Sequence, residues 1–327
     1  MTDFNSTNFQ PATFQLSWFP GLGAANHWIS IPFCVFYVTA MVGNCTVLCI
    51  IWKDRRLHQP MYLFLCMLSI NDLGVSLSTL PTVLSTFCFD VTDVAFDACL
   101  AQMFFIHSFS NMGSGILLAM SFDRFVAICD PLRYAAILTN PRIVRIGLAI
   151  VIRSFGVVLP LPILIKRLPF CHAKALSHAY CLHSDVMRLA CADITINNIY
   201  GLCAVLIVFG IDLLLIVISY ILIMITIFSL ASGGRRLKAL NTCVSHVCAV
   251  LIFYIPMITV SIIHRYGENS PPLVHVLLSS VYLFVPPVIN PIVYSIKTKE
   301  IRKSILKMFS RGLELTGTVT AHHDGFQ

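Results

Sequence analysis

The chain has 327 residues, of which 57% are hydrophobic and 11% charged, with a mean hydropathy of +0.83. A soluble domain carries about 25% charged residues, so this composition excludes a single water-soluble core and assigns the chain to a bilayer. The formal net charge of +7 raises the question of nucleic acid, but the basic residues gather at one set of span ends, and no nucleic-acid partner is expected.

Residues 1–27 form an N-terminal segment, "MTDFNSTNFQPATFQLSWFPGLG" and onward, with no basic region followed by an apolar one. A cleavable signal peptide is therefore not expected, and the first apolar segment directs insertion itself. Asn5-Ser6-Thr7 is a glycosylation sequon; a second, Asn44-Cys45-Thr46, lies inside an apolar run that no glycosyltransferase reaches.

About 20 apolar residues cross a membrane as a helix. Seven such stretches, at 28–52, 60–83, 98–123, 143–165, 198–228, 241–263 and 273–296, predict a seven-span domain over 28–296. The fifth is the longest and should project beyond the membrane. Connections are short except 166–197, which is rich in Cys, His and charge. The tail, 297–327, opens on "KTKEIRKSILKMFSR", where Ile301, Ile305 and Met308 at helical spacing predict a short amphipathic helix on an anionic lipid leaflet.

Orientation follows from basic residues near span ends. With the N-terminus outside, the inner segments hold Lys53, Arg55, Arg56, Arg133, Arg142, Arg145, Arg235, Arg236 and Lys238, joined by the basic tail. The outer segments mix Lys166, Arg167, Lys174, Arg188 and Arg265 with seven acids from Asp3 to Glu268. The expected fold is an all-α membrane protein, a seven-helix bundle in the plasma membrane with its N-terminus outside.

Polar residues inside the spans carry the functional argument. Asn44, Asp72, His107, Asp123, Arg124, Arg153, Asp212, His246 and Asn290 fall within apolar runs or at their ends. Such groups usually face the bundle interior and pair with one another; a charge at membrane depth costs roughly 2.5–3.5 kcal/mol on insertion scales. For an isolated Asn or Ser, helix-to-helix hydrogen bonding is explanation enough. The stretch "MSFDRFVAICDPLRY" places Asp123 and Arg124 side by side at the inner end of the third span. Pro256 in the sixth span and Asn290-Pro291 with Tyr294 in the seventh add two proline-bent helices around that mouth. Of 13 cysteines, most lie in apolar runs as small hydrophobes. Cys99, Cys171, Cys181 and Cys191 gather at the outer face, where an oxidising setting favours disulfides and four cysteines allow three pairings. The interleaved His172, His178 and His183 are read as solvated side chains of a pinned loop, not as a metal site, and no cofactor is expected.

These motifs together resemble a rhodopsin-like G-protein-coupled receptor and, within that class, an odorant receptor. The resemblance rests on Gly43-Asn44, "LHQPMYLFL" at 57–65, Asp72, "MSFDRFVAICDPLRY" at 120–134, Ser219-Tyr220, "KALNTCVSH" at 238–246 and "PPVINPIVY" at 286–294. It covers nearly the whole chain, and "LPILIKRLPFCHAKALSHAYC" further resembles the fish-like, or class I, odorant receptors. The resemblance implies that Arg124 is held at rest by neighbours including Asp123. On activation it would join Tyr220 and Tyr294 in a cavity for a stimulatory, olfactory-type G protein, with Lys238 and His246 at the base of the sixth helix. It also implies the pairs Cys99–Cys181 and Cys171–Cys191, and a polar network of Asn44, Asp72 and Asn290. Four departures stand out: Phe122 and Phe125 where tyrosines are usual, which removes two hydroxyls near the switch, Asp130 where His or Asn is usual, and Gly113 where many odorant receptors carry a glutamate.

A ligand cavity is expected between the outer halves of the third, fifth and sixth helices, lidded by the long loop. Asn111 follows His107 at i+4, on the same face. Arg265 stands at the outer end of the sixth span with Ser261 one turn below. An Arg fork facing a cavity suits a carboxylate, with His107, Ser184 and Ser261 supplying hydrogen bonds to a polar odorant; the alternative is that Arg265 snorkels to headgroups. A channel or transporter would need repeats or discontinuous helices, and an intramembrane enzyme a nucleophile and base in reach. Neither signature is present in the sequence. A metabolite-sensing receptor of the same fold remains the competing function.

Overall fold

The computed structural model describes residues 10–16, 26–89, 91–170, 175–176, 180–229, 233–266 and 272–307. Asn5, Cys171 and Met308 lie outside the described residues, as do the side chains of Lys238 and Arg265, whose backbone is helical.

Seven helices are long and apolar enough to cross a membrane: Ser30–Lys53, Pro60–Thr86, Phe96–Cys129, Asn140–Lys166, Thr195–Ser229, Ala239–Ile263 and Val276–Lys297. All seven expected spans are present. The third runs six residues further than expected, because Asp123 and Arg124 are buried inside the bundle instead of ending the helix. The fourth is interrupted: one helix covers Asn140–Val158 and a second begins at Pro160, which has no N–H to donate to the preceding turn and suits the first turn of a helix. The fifth carries a π-helical stretch, Leu206–Gly210, immediately before Asp212. Large apolar side chains such as Val42, Leu214, Ile218 and Ile225 point outward; a girdle of this kind is solvated by lipid tails.

The first and seventh spans show why the proline motif needs its partner. Pro291 has no N–H, so the carbonyl of Pro287 one turn earlier loses its helical donor. The side-chain amide of Asn44 donates to that carbonyl at 2.9 Å and to the Ala40 carbonyl at 2.9 Å. Gly43 permits the approach, since a Cβ there would lie 3.0 Å from the Pro291 ring.

At the N-terminal end of the bundle a small sheet forms that the apolar pattern did not predict. β1 (Thr13–Leu16) lies between β2 (Asp93–Ala95), to which it is antiparallel, and β3 (Ala175–Leu176), to which it is parallel. Its alternation is that of a half-buried strand: Phe14 and Leu16 are buried, Gln15 exposed. The Phe14 ring packs between Phe96 and Phe170, each at 5.6 Å. The sheet joins the N-terminal segment to the long loop and the top of the third span.

At the opposite end, residues 299–307 are helical after a break at Thr298. Ile301 is fully buried against the main core and Ile305 packs beside it, while Arg302, Lys303 and Lys307 are exposed. The expected amphipathic pattern holds, and the apolar side faces the bundle.

Candidate functional site

Four polar assemblies lie within the bundle. At the C-terminal end, Asp123 is fully buried and Arg124 nearly so. The Arg124 Nε donates to Asp123 Oδ2 at 2.9 Å, and the terminal guanidinium nitrogen closes on the same oxygen. The other carboxylate oxygen accepts from the Tyr134 hydroxyl at 2.7 Å. Tyr134 sits in a short helix outside the spans, and its phenol is pushed well above the ordinary value, first by burial and then by the Asp123 charge.

His246 fastens the sixth span. One ring nitrogen, Nε2, lies 3.0 Å from the Leu117 carbonyl and must donate to it; Nδ1 then accepts from the Tyr220 hydroxyl at 2.7 Å. The imidazole thus bridges the third, fifth and sixth spans in one neutral tautomer. Asp123, Arg124, His246 and Tyr294 line a cavity of about 630 Å³ together with Asn241, Ser245, Lys297 and Glu300. Tyr220 meets it only through His246. Asn241 and Ser245, at i, i+4 on one helical face within the "KALNTCVSH" stretch, were missed. The Phe122 ring is 40% exposed and does not line the cavity. Phe125 packs against Ile223, Ile227 and Cys243. Asp130 makes only a loose, exposed pair with Arg133 at 3.9 Å.

Midway, Asp72 accepts from the Asn290 amide at 2.9 Å and from Asn71. Of the three expected network residues, Asp72 and Asn290 bond directly, while Asn44 meets the seventh span about one turn away, at the Pro287 carbonyl. A Cβ at Gly113 would meet the Asn71 amide at 3.3 Å and the Phe253 ring at 3.1 Å. The third span therefore presses on this group without adding a polar side chain at that position.

Sequence reasoning flagged Arg153 and Asp212 as intramembrane charges but gave them no role. They form a forked ion pair between the fourth and fifth spans, at 2.7 and 2.8 Å. Asp212 also accepts from the Ser114 hydroxyl at 2.6 Å, and Ser114, its proton thus engaged, accepts from Tyr254 of the sixth span at 2.8 Å. Three spans meet at one carboxylate, and the sixth joins through Ser114. Opposite signs among the buried charges were the available signal.

At the N-terminal end the Cys99–Cys181 disulfide stands as expected, with Cα atoms 5.5 Å apart. Cys191 is also disulfide-bonded, while its expected partner, Cys171, is outside the described residues. The Nε2 of His107 accepts from the backbone N–H of His183 at 3.4 Å. Asn111 donates to the His107 carbonyl at 2.8 Å, and its amide oxygen, buried, has no partner among the described residues. His183 corrects the reading of the loop histidines as solvated: it is 7% exposed, because its ring lies against Gly201 of the fifth span, where a Cβ would sit 3.2 Å from it. Asn197, one turn from Gly201 on the same face, buries a second amide oxygen with no partner among the described residues. Ser184 is half-buried beside His183, and Ser261 turns toward the Met257 sulfur at 3.8 Å. The structure thus joins His107 to His183 of the loop; His183 and Asn197, one turn from the Gly201 that His183 touches, were missed as ligand residues. No group of three or more metal-ligating side chains occurs among the described residues.

A family model described as olfactory receptor matches residues 33–312. The chain belongs to the olfactory receptor family. It is 57% identical to human olfactory receptor 51I1 over 311 residues, which is 95% of this chain and 99% of that protein. Human olfactory receptor 51I2 is 58% identical over 306 residues, covering 94% of this chain and 97% of its own. Mouse olfactory receptor 51E2 is 53% identical over 305 residues, covering 93% and 95%. The receptor is thus of the fish-like, class I type, a multi-pass plasma-membrane protein of the G-protein-coupled class, and not an enzyme.

Proposed function

We propose that the receptor binds a small, polar organic odorant, a carboxylic acid in the first instance, at the N-terminal end of the bundle, which faces the outside. It answers by activating a stimulatory, olfactory-type G protein at the other end and raising cyclic AMP. The observation that carries this reading is a set of polar side chains beneath a disulfide-pinned loop: half-buried His107, bonded by the His183 N–H, with Asn111 one turn further along the third span and Asn197 buried on the fifth. The amide oxygens of Asn111 and Asn197, unpaired among the described residues, are costly in an apolar bundle and suit a donor group on the ligand, such as a hydroxyl, while a carboxylate, which only accepts, is taken by Arg265 at the outer end of the sixth helix. Ser184 and Ser261 complete the polar lining.

Signal transfer follows from the shape of the inner cavity. A helix is about 10 Å across, so 630 Å³ holds roughly 8 Å of its length, about one and a half turns. Seating a G-protein helix more deeply requires the sixth span to move, and the bonds resisting that are those of His246 to Leu117 and Tyr220 and of Tyr254 to Ser114. Arg124 and Tyr294 then face the partner, with Lys238 nearby. The basic helix at 299–307 rests on the anionic inner leaflet.

The test is cyclic AMP in cells expressing wild type and Arg265→Ala, challenged with aliphatic acids, alcohols and aldehydes at matched surface level. Acid responses lost in the variant support the anchor. Acid responses that survive with unchanged potency refute it.

A further inference from the structure

Between Tyr180 and His183 the long loop crosses the third span, and its side chains leave in opposite directions. His183 turns to the fifth span. Tyr180 and Leu182 turn the other way, into a cluster of Phe33 and Tyr37 of the first span, Val75 and Val83 of the second, Ile106 of the third and Leu283 and Phe284 of the seventh. Tyr180 is fully buried there, and its hydroxyl donates to the Ser279 carbonyl of the seventh span at 2.6 Å.

The residue beside it is fixed twice. Cys181 is bonded to Cys99, and its N–H donates to the Gln102 side chain at 3.0 Å. Gln102 in turn donates to the Ser78 carbonyl at 3.0 Å and to the Thr82 hydroxyl at 2.8 Å on the second span. Tyr180 is therefore delivered as a rigid ring to one place, with every polar atom of its support satisfied. Three residues of chain reach at most about 10 Å, so the Cα atoms of Tyr180 and His183 lie within that distance, and the space that the Tyr180 ring fills opens from the same short crossing.

We propose that Tyr180 is a specificity-determining plug. By filling the space between the first, second, third and seventh spans, it confines the ligand to the other side of the third span and sets an upper limit on ligand length. The inference rests on the reading that the ligand sits between the third, fifth and sixth spans.

The experiment compares wild type, Tyr180→Phe, Tyr180→Leu and Tyr180→Ala for cyclic AMP responses to straight-chain carboxylic acids of increasing length, at matched surface expression. Truncation to Ala leaves a void on the order of the ~150 Å³ cavity that admits benzene elsewhere. The Ala variant should prefer longer acids, gaining about fourfold in potency for each extra methylene that the void buries. The Phe variant keeps the ring and should keep the wild-type limit, with Leu between. If Ala fails to reach the surface, Leu against Phe decides the matter. An unchanged length profile in the smallest variant that reaches the surface overturns the proposal.

A second arm needs no odorant. Ser279, buried beneath Tyr180, is replaced by Cys in each background, and its labelling by a small methanethiosulfonate reagent is compared with the parent lacking that cysteine. Labelling should appear with Tyr180→Ala or Tyr180→Leu and not with Tyr180→Phe. Equal labelling in all backgrounds overturns the plug. A wild type deaf to every acid defeats the carboxylate reading, while the labelling arm still decides whether Tyr180 closes that space.

Discussion

Replacing Asp212 with Ala removes the only acidic partner that Arg153 has in its forked pair, along with the acceptor for Ser114. The Arg153 side chain is 34% exposed on the bundle and Asp212 only 1%, so the arginine is left facing lipid and apolar side chains. Breaking a buried pair from one side costs about 3–5 kcal/mol, and insertion scales put an unpaired arginine at helix centre at about 2.5–3.5 kcal/mol. About 3 kcal/mol is a factor of roughly 100 in the folded population. Surface receptor, read by flow cytometry on an N-terminal tag, should therefore fall to near background in Asp212→Ala and in Arg153→Ala. Replacing both residues by Leu removes the uncompensated charge, and a buried pair exchanged for apolar side chains is often neutral. The double variant should recover most of the surface signal while losing the Ser114–Asp212 bond and keeping the one between Ser114 and Tyr254. The cycle is decisive because the residues touch and their effects cannot add. Single variants at wild-type surface level, or a double variant no better than either single one, would refute the pairing argument.

Four further outcomes are expected. His246→Leu removes the bonds to Leu117 and Tyr220 and should raise cyclic AMP in the absence of odorant; unchanged basal signalling at equal surface level would show that the bridge does not restrain the sixth helix. Cys99→Ser opens a loop closed over a separation of 82 residues and should cost about 2–5 kcal/mol, measured as lost surface receptor. Gly43→Ala drives a methyl to 3.0 Å from the Pro291 ring and should destabilise the purified receptor by about 1–3 kcal/mol, visible as a lower melting temperature. Asp54 is held below the usual carboxylate range, chiefly by its hydrogen bonds from Arg56, and it also accepts from Ser304 of the 299–307 helix at 3.2 Å. A depressed carboxylate contributes above its unfolded value near pH 3.9 and loses that contribution only below it. Hydrogen-exchange protection of 299–307 should thus stay constant from about pH 5 to 8, and fall throughout that range in Asp54→Asn.

The Pro287 carbonyl illustrates how far sequence reading reached and where it stopped. That Pro291 frees a carbonyl, and that Asn can satisfy it, is a local rule. That the Asn comes from the first span, 243 residues away in sequence, was legible only through the resemblance to a known family. The Asp123–Arg124 pair was legible because its partners are neighbours in the chain. The Arg153–Asp212 pair, 59 residues apart, was not, because partner choice depends on the rotation and depth of two separate helices.

What the sequence determined by itself was the membrane setting and the seven spans, and its resemblance to a known family added the class of receptor. Each rests on information that runs along one dimension: the length of an apolar run, the charge at its ends, and motifs of fixed spacing. What only the tertiary structure decided was which side of a helix faces which neighbour. It placed His183 inside and not in solvent, fixed the His246 tautomer through two different spans, and made residues 13–16 the central strand of a sheet with two distant loops. The physical reason is common to all three. A buried polar atom must find its complement, and which complement comes within reach is set by packing in three dimensions.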